Sequence, residues 1–596
     1  MEDCEDLNNF SSKDVANALL NYAPYEHGFF WWGGYGVSTE HTAYLNLRNG
    51  IPAPRSGSIE QNGCAKMNNF TAAQLRRIAS YGFTHVWFTG LIEHATQTDY
   101  SAYGITSDHP AVVKGRAGSP YAIKDYYDID PDLAVNVDKR MKEFEALVKR
   151  THQAGLKMVI DFVPNHVARQ YHSDAHPKGV KDLGEDDDTS LAFSPNNNFY
   201  YLEGQTLHTE FDTERCAPQP YREYPAKVTG NDCFNAWPSR NDWYETVKLN
   251  YGVDYLGGRQ THFCPIPSTW KKMTDILLFW AKKGIDAFRC DMAEMVPAEF
   301  WAYATEKVKS LYPKVQFIAE VYNPNEYRHY IASGFDYLYD KVGLYDTLRA
   351  VITDGRSASC ITGCWQNIDD IRDHMLNFLE NHDEQRIASA YFAGDARKAL
   401  PALCVSAMMG NNPFMVYAGQ ELGEPGMDAE GFSGSDGRTT IFDYWSVPSL
   451  RKLTAAKPES EMNADEKYLY NYYKQVIHLC KTEAALNDGN FYDLQYANYN
   501  RDYGYNCDRQ YAFIRKADNG QTLFIVANFD DKSVHVGVRI PVHAFDFLHL
   551  RKGITSATDL LSGNLQTIEL KPDDVSFVDI PAFSAVVLQL QNSKIK

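Results

Sequence analysis

The segment GIDAFRCDMAEMVPAEF, residues 284–300, begins as an apolar β-strand and ends in charged side chains. Side chains two positions apart in a strand point to the same face, so Arg289 and Asp291 are expected to lie side by side. Glu294 adds another acid about one helical turn later. Helical patterns precede and follow the segment, over residues 268–284 and 297–313. Apolar strands that alternate with helices predict a parallel sheet covered on both faces.

The same alternation runs through the long middle of the chain. Six further apolar strands are predicted there, over residues 84–90, 156–166, 315–321, 335–340, 375–383 and 413–421. Seven or eight strand–helix units over about 400 residues predict the α/β class and a (β/α)8 TIM barrel. A doubly wound open sheet is the alternative. Its nucleotide-binding forms lose support because no glycine-rich phosphate loop follows an early strand.

The pattern departs from a barrel in two places. Residues 170–255 are polar, rich in turn residues and without a sustained helical period, which predicts an inserted domain after the third barrel strand. Beyond residue 490, alternating strands around an Asn519-Gly520 turn predict an antiparallel β-sandwich. The predicted domains are a barrel of residues 1–169 and 256–490, an inserted domain of residues 170–255 and a C-terminal sandwich of residues 491–596.

The composition limits the partners and the compartment. A net charge of -19 repels nucleic-acid phosphates and anionic lipid, so neither nucleic acid nor a membrane surface is expected as a partner. No apolar run approaches the roughly 20 residues of a spanning helix, and the acidic N-terminus is unlike a signal peptide. The 11 cysteines are spread too thinly for a disulfide framework, and Cys360 and Cys364 are expected to be plain thiols. A cytoplasmic location is favoured; a secreted or periplasmic chain that has lost its signal is the alternative.

Polar side chains end four of the predicted strands in succession. In a TIM barrel the C-terminal ends of the strands surround the active site. The residues at these ends are Asp161, Asn165, His166, Arg289, Asp291, Glu320, Asn381, His382 and Asp383. A single acid in such a place is commonly a helix cap or an ion pair, but a series of four favours a reaction centre.

Paired carboxyl groups are what glycoside cleavage requires. One must be ionised to act as nucleophile, and the other must carry a proton at neutral pH. Arg289 is expected to keep Asp291 ionised, whereas Glu320 has no cation beside it in the sequence and is the better acid.

Four short segments carry a resemblance to a known family. DFVPNH, FRCD, AEVY and LENHD resemble, in the right order, the signature regions of the α-amylase family of retaining glycoside hydrolases and transglycosylases. The spacings agree, with 29 positions from Asp291 to Glu320 and 63 from Glu320 to Asp383. SPYAIKDYYDIDPDL (119–133) and PFMVYAGQELG are similar to the stretches after the second strand and at the eighth strand. The resemblance extends over residues 65–596.

The resemblance implies the catalytic roles. Asp291 attacks the anomeric carbon to form a β-glycosyl-enzyme, and Arg289 orients it. Glu320 protonates the leaving oxygen and then activates the incoming water or sugar hydroxyl. Asp383 holds the hydroxyls of the sugar at the cleavage point. Retention of the α configuration predicts catalytic carboxyl groups about 5–5.5 Å apart.

The resemblance also implies a sugar-binding set around these acids. His166 and His382 hydrogen-bond the sugar, and Tyr121 stacks on it. Asp161 braces the site.

Two positions depart from the family pattern. Glu294 and Met295 stand where many members have a lysine that binds the leaving-group side of the glucan and a histidine whose carbonyl helps hold calcium. Glu294 is therefore expected to alter substrate binding on that side. Asn165 still matches the calcium-binding asparagine, so a structural Ca²⁺ is an expectation, while the chemistry itself requires no cofactor.

The leading hypothesis is a retaining α-glycoside hydrolase acting on α-1,4-linked glucans or maltodextrins. The alternative is an α-glucan transglycosylase with the same catalytic residues. A third is an inactive family member that only binds carbohydrate, and the presence of Asp291, Glu320 and Asp383 argues against it. In each case the expected partner is an oligo- or polysaccharide.

Overall fold

The computed structural model describes most of the chain. The residues described are 29–33, 66–115, 117–209, 219–426, 436–439, 441–442 and 447–591. Only the backbone is described for residues 29–33.

Eight parallel strands form a closed barrel, which confirms the predicted fold class. Strand β1 (Phe29–Gly33) pairs with both its sequence neighbour and the last barrel strand, and so closes the ring. The other barrel strands are β2 (His85–Phe88), β3 (Lys157–Phe162), β4 (Ala287–Cys290), β5 (Gln316–Ala319), β6 (Tyr337–Tyr339), β7 (Met375–Phe378) and β8 (Phe414–Tyr417). The strand–helix alternation of the sequence does not predict β1, because the glycine-containing segment after it has no helical period.

Helices follow the strands and cover the barrel. Most of them carry one apolar face, but the helix Leu400–Met408 is buried on all sides, as expected for a helix enclosed by protein. The helices are α1 (Ala72–Tyr81), α2 (Arg140–Gln153), α3 (Ser268–Lys282), α4 (Ala298–Leu311), α5 (Tyr327–Ala332), α6 (Asp346–Thr353), α7 (Cys360–Asn367), α8 (Leu400–Met408), α9 (Pro448–Thr454), α10 (Pro458–Glu461), α11 (Ala464–Thr482) and α12 (Ala484–Asn487).

A glycine makes the turn from α3 into β4. Gly284 has φ of +94°, a left-handed conformation that side chains other than glycine rarely adopt. The chain can therefore reverse within a few residues and enter the barrel with Arg289 pointing inward.

Short antiparallel pairs replace the barrel pattern between β3 and α3. The pairs are His166–Ala168 with Thr246–Lys248, Tyr201–Leu202 with Ala226–Lys227, and Val253–Asp254 with Gln260–Thr261. This segment has a small apolar cluster of its own, which includes Tyr200, Leu202 and Val228. The fold thus has an insertion after the third strand. Its predicted boundary at residue 170 stays a prediction, because the first pair begins at His166.

A second hairpin lies between β2 and α2. Ile92–His94 pairs with Ile123–Ile129, and this pairing places Tyr121 at the mouth of the barrel.

The C-terminal region is an antiparallel β-sandwich, as predicted. The elements are β9 (Asn490–Asp493), β10 (Gln510–Lys516), β11 (Thr522–Asn528), β12 (Val534–Ile540), α13 (Val542–Leu548), β13 (Gly553–Asp559), β14 (Leu565–Leu570), β15 (Asp574–Ile580) and β16 (Ser584–Leu590). One sheet has the order β9-β10-β11-β16-β13-β14, and β12 pairs with β15. A buried apolar cluster lies between the sheet and this pair.

Cysteine chemistry agrees only in part with the sequence expectation. Cys360 and Cys364 are free thiols, as expected. Cys264 is disulfide-bonded, which the thin spread of cysteines does not predict, because spacing alone does not reveal which residues meet in the fold. Within the described residues, every helix is too short or too polar to cross a membrane.

Candidate active site

One buried guanidinium lies at the centre of the strand ends. Arg289 donates from Nη1 to Asp291 Oδ1 at 2.8 Å and from Nη2 to Glu320 Oε2 at 2.7 Å. Its Nη1 also lies 3.3 Å from Asp161 Oδ1, and its Nε donates to the Tyr339 hydroxyl at 3.1 Å. One positive charge therefore faces three carboxyl groups.

The register of the sheet brings these groups together. Arg289 in β4 is paired with Asp161 in β3, so both lie at the same level of the barrel. Asp291 follows the end of β4, and Glu320 follows the end of β5. Because parallel strands in register end on one side of the barrel, residues far apart in sequence share one site.

The crowded carboxyl groups have raised pKa values. Burial and the Glu320 carboxylate raise the pKa of Asp291 well above its usual range, although Arg289 opposes this. Burial raises the pKa of Asp161 to about 6. Asp291 and Asp161 therefore hold their protons to higher pH than ordinary aspartates do, as is common in sites for acid–base chemistry.

Glu320 has a cation beside it in space, contrary to the expectation from its sequence neighbours. Besides Arg289, the backbone N–H of Met292 donates to Oε2 at 2.8 Å, and the Tyr322 hydroxyl donates to Oε1 at 2.5 Å. The lack of a cation near Glu320 in the sequence therefore does not distinguish it from Asp291, since the guanidinium contacts both carboxyl groups. The separation of the Asp291 and Glu320 carboxyl groups stays a prediction.

The third acid lies at the end of β7. His382 Nε2 is 3.2 Å from Asp383 Oδ2, and 47% of the Asp383 side chain is exposed to the cleft. Asn381 Oδ1 accepts from the backbone N–H groups of Asp383 and Glu384 at 2.9 and 3.0 Å, which fixes the turn after the strand. The Tyr121 ring stacks on His382 with ring centroids 5.0 Å apart. These residues form one wall of the cleft.

Both candidate sugar-binding histidines are neutral. Burial lowers the pKa of His166 to about 3 and that of His382 well below its usual value. The Tyr121 hydroxyl is buried and has no hydrogen-bond partner among the described residues. Neutral imidazoles and a buried hydroxyl are groups that suit the hydroxyls of a sugar better than a charged ligand.

Glu294 is joined to the loop that follows β5. Its Oε2 accepts from the backbone N–H groups of Tyr322 and Asn323 at 3.2 and 3.1 Å. The carboxylate is thus engaged with the backbone next to the candidate acid. Its expected part in substrate binding stays a prediction.

The residues around Asn165 do not fit a calcium ion. The buried Lys248 ammonium donates to Asn165 Oδ1 at 3.0 Å and lies 2.6 Å from Asp232 Oδ1. The amide nitrogen of Asn165 donates to the carbonyl of Gly230 at 2.8 Å. An ammonium on the amide oxygen would repel a divalent cation, and the histidine of the family pattern is Met295 here. The expected calcium at Asn165 stays a prediction, and the residues around it do not support it.

Four residues of the site were not predicted. Trp87 donates to Asp161 at 2.9 Å, Tyr339 contacts Arg289, Tyr322 contacts the candidate acid, and Lys248 lies on Asn165. Side chains alternate between the inside and the outside of the barrel along β2 and β6, and this alternation predicts that Trp87 and Tyr339 point inward. No sequence pattern indicates that Lys248 contacts Asn165, because the two residues are 83 positions apart.

Comparison with known proteins gives one consistent family. Residues 71–489 match the model of the α-amylase catalytic domain. α-Amylase 3 of Dictyoglomus thermophilum is 22% identical over 76% of this chain and 82% of that protein. A cyclomaltodextrinase of Geobacillus thermopakistaniensis is 23% identical over 78% of this chain and 66% of that protein.

Solved structures share the fold. The α-amylase of Geobacillus thermoleovorans, complexed with acarbose, superposes with a TM-score of 0.60 at 18% identity, covering 96% of this chain and all of that one. A maltogenic α-amylase of Thermotoga neapolitana gives 0.58 at 17% identity, covering 95% and 99%. Since the family model spans well over half of the residues and all its signature segments lie at the strand ends, this chain belongs to the α-amylase family of glycoside hydrolases.

Proposed function

We propose that the protein is a retaining α-glycoside hydrolase acting on α-1,4-linked glucans or maltodextrins. The observation that carries the proposal is the meeting of Asp291 and Glu320 on one guanidinium, with Asp383 close enough to influence the pKa of Asp291. Two carboxyl groups that flank the scissile glycosidic bond are the minimum for a double displacement.

The first step forms a glycosyl ester. An oxygen of ionised Asp291 attacks the anomeric carbon while Glu320 transfers its proton to the glycosidic oxygen, and the bond between that oxygen and the anomeric carbon breaks. Arg289 balances part of the charge on both carboxyl groups during the exchange. The proposed step requires the proton on Glu320 and the negative charge on Asp291.

The second step reverses the roles. Ionised Glu320 takes a proton from water as the water oxygen attacks the anomeric carbon, and Asp291 leaves as a carboxylate. Two inversions give net retention. Asp383 accepts hydrogen bonds from the sugar hydroxyls, and His382 holds it in place.

A sugar-binding wall of Tyr121, His382 and His166 supports the choice of substrate class. An aromatic ring and neutral imidazoles match the apolar face and the hydroxyl rim of a glucose unit. We propose further that no cofactor takes part in the chemistry.

Product analysis tests the proposal and separates it from transfer. Maltoheptaose is incubated with the enzyme, and the chain lengths and the anomer of the first product are followed by chromatography and proton NMR. Shorter chains in the α form are expected. Chains longer than the donor would indicate transglycosylation, and a first product in the β form, or no cleavage of any α-glucan, would overturn the assignment.

The compartment is a separate proposal. The cytoplasmic location favoured by the sequence stays a prediction, and the disulfide of Cys264 argues against it because disulfides are rare in the cytosol. Comparing the migration of the protein from its native source under reducing and non-reducing conditions tests whether the bond is present in the cell.

A further inference from the structure

We infer that Oε1 of Glu320 carries the transferred proton, that the Tyr322 hydroxyl is its positioning partner, and that Glu294 holds the loop that presents this hydroxyl. The inference rests on the proposed hydrolysis and assigns two positioning residues within that site. Neither residue needs to touch the substrate for this role.

The other oxygen of Glu320 is committed to donors. Oε2 accepts from Arg289 Nη2 at 2.7 Å and from the backbone N–H of Met292 at 2.8 Å. Neither a guanidinium nor a backbone N–H can accept a hydrogen bond. A proton on Oε2 would therefore face two other protons, and the carboxylic acid form of Glu320 has to carry its proton on Oε1.

The direction of the Met292 N–H is built into the backbone. Met292 has φ of +44° and ψ of +42°, a left-handed conformation that residues with a side chain rarely adopt. This turn, directly after Asp291, aims the N–H at Oε2. The chain thus maintains a strained residue in a position that keeps Oε2 occupied.

The Tyr322 hydroxyl suits both protonation states of Oε1. It lies 2.5 Å from Oε1, and a hydroxyl can donate to a carboxylate or accept from a carboxylic acid. Burial and the Glu320 carboxylate raise the pKa of Tyr322 far above its usual value, so the hydroxyl keeps its own proton. Tyr322 therefore rotates its hydrogen as Glu320 gains and loses a proton, and does not supply that proton.

The loop that carries Tyr322 is held by Glu294. One carboxylate oxygen accepts from two successive N–H groups, those of Tyr322 and Asn323. The Tyr322 ring also packs against the apolar interior of the barrel. Two independent contacts, one to the backbone and one to the ring, therefore fix the place of the hydroxyl. Glu294 stands where the family pattern has a lysine, and a lysine could not accept these hydrogen bonds.

The pH profile is the property that this arrangement controls. Tyr322→Phe removes the hydroxyl that donates to Oε1. Loss of a hydrogen bond to a carboxylate favours the protonated form of a carboxyl group. The alkaline limb of kcat/KM for maltodextrin is expected to move up by about one pH unit, with a loss of about tenfold at the optimum.

The experiment compares five proteins on two substrates. Wild type, Tyr322→Phe, Glu294→Ala, Glu294→Gln and a control, Tyr200→Phe, are assayed from acid to alkaline pH with maltodextrin and with α-maltosyl fluoride. Fluoride leaves with little help from an acid, so the loss in Tyr322→Phe is expected to be about twofold or less on that substrate. The control removes a hydroxyl bonded to the Val253 carbonyl, remote from the acids, and is expected to match wild type.

The Glu294 pair separates positioning from a general loss of structure. Glu294→Ala is expected to shift the profile in the same direction as Tyr322→Phe, whereas Glu294→Gln keeps the wild-type profile because an amide oxygen still accepts from N–H groups. Thermal unfolding by circular dichroism verifies that each variant is folded.

Each result decides between the proposals. A Tyr322→Phe profile that superposes on wild type, or an equal loss on both substrates, would overturn the inference while leaving the hydrolase intact. If the pH profile of Glu294→Gln shifts as far as that of Glu294→Ala, Glu294 does not hold the loop in the way inferred. If wild type cleaves neither substrate, the proposed function fails instead.

Discussion

Arg289 and Lys248 are both buried cations that join separate parts of the chain, but only Arg289 faces an excess of acid. It contacts the carboxyl groups of Asp161, Asp291 and Glu320. Burial and the excess of negative charge around this one cation raise the pKa values of Asp291 and Asp161 above their usual range.

Lys248 lies in balanced surroundings. Its ammonium contacts the amide oxygen of Asn165, at the end of β3, and the carboxylate of Asp232, in the inserted segment. One positive charge therefore meets one negative charge. The contrast indicates that charge balance, more than burial, distinguishes a reacting cluster from a structural one.

The largest expected effect comes from removing Asp291, the proposed nucleophile. Asp291→Asn should lower kcat by roughly 10⁴-fold or more, because an amide cannot form the glycosyl ester. Stability should not fall, since the change removes one of the acids that crowd Arg289. Hydrolysis rates and urea unfolding measure the two effects. Asp370→Asn, at an exposed ion pair with Arg328, is the matched control. More than about a tenth of wild-type activity in Asp291→Asn would contradict the assignment.

A pH effect on stability should follow from Asp161. Burial raises its pKa from 3.8 to about 6, so the folded state favours the protonated form more than the unfolded state does. The stability that this group contributes is fully present below pH 4 and is lost as pH rises through 6, a change of about 3 kcal/mol. The unfolding free energy of Asp161→Asn should lack this dependence on pH. Unfolding free energies of both proteins at pH 4 to 7 should diverge, and parallel curves would count against an excess of acid around Arg289.

Lys248→Met should destabilise the protein without altering catalytic pH dependence. It leaves the Asp232 carboxylate unpaired, and because 32% of that side chain is exposed, the cost should be about 2 kcal/mol, below that of a fully buried ion. Lys283→Met, which breaks a pair with the exposed Glu145, is the control and should cost less than about 1 kcal/mol. Urea unfolding measures both. If Lys248→Met shifts the pH profile of catalysis, the environments of Lys248 and Arg289 are coupled, and Lys248 is not a purely structural cation.

Much of the barrel and its acids followed from sequence. Strands over residues 84–90 and 156–166 could be predicted because barrel strands are apolar throughout and adjoin helices with glycine ends. Asp291 and Glu320 could be placed because parallel strands bring their ends to one side. These inferences use local periodicity and one rule of topology.

The contacts within the site could not be predicted in the same way. Arg289 has Asp291 as a sequence neighbour, yet it binds Glu320 equally closely, and that contact depends on the register of β4 and β5. Lys248 reaches Asn165 across an insertion whose path no periodicity describes. The contact of Glu294 with two backbone N–H donors could not be predicted, because those donors are not visible in a sequence.

The smallest expected effect is none at all. Treatment with EDTA should leave the Tm and the activity unchanged, because the Lys248 ammonium stands where a cation would meet Asn165. If EDTA lowers the Tm and Ca²⁺ restores it, Asn165→Ser locates the metal. If Ca²⁺ no longer affects the Tm of this variant, an ion binds at Asn165, and Lys248 does not occupy the place of a cation there. A response that persists would place it elsewhere, for instance at the buried carboxyl groups of Glu93 and Asp125, and would leave the role of Lys248 standing.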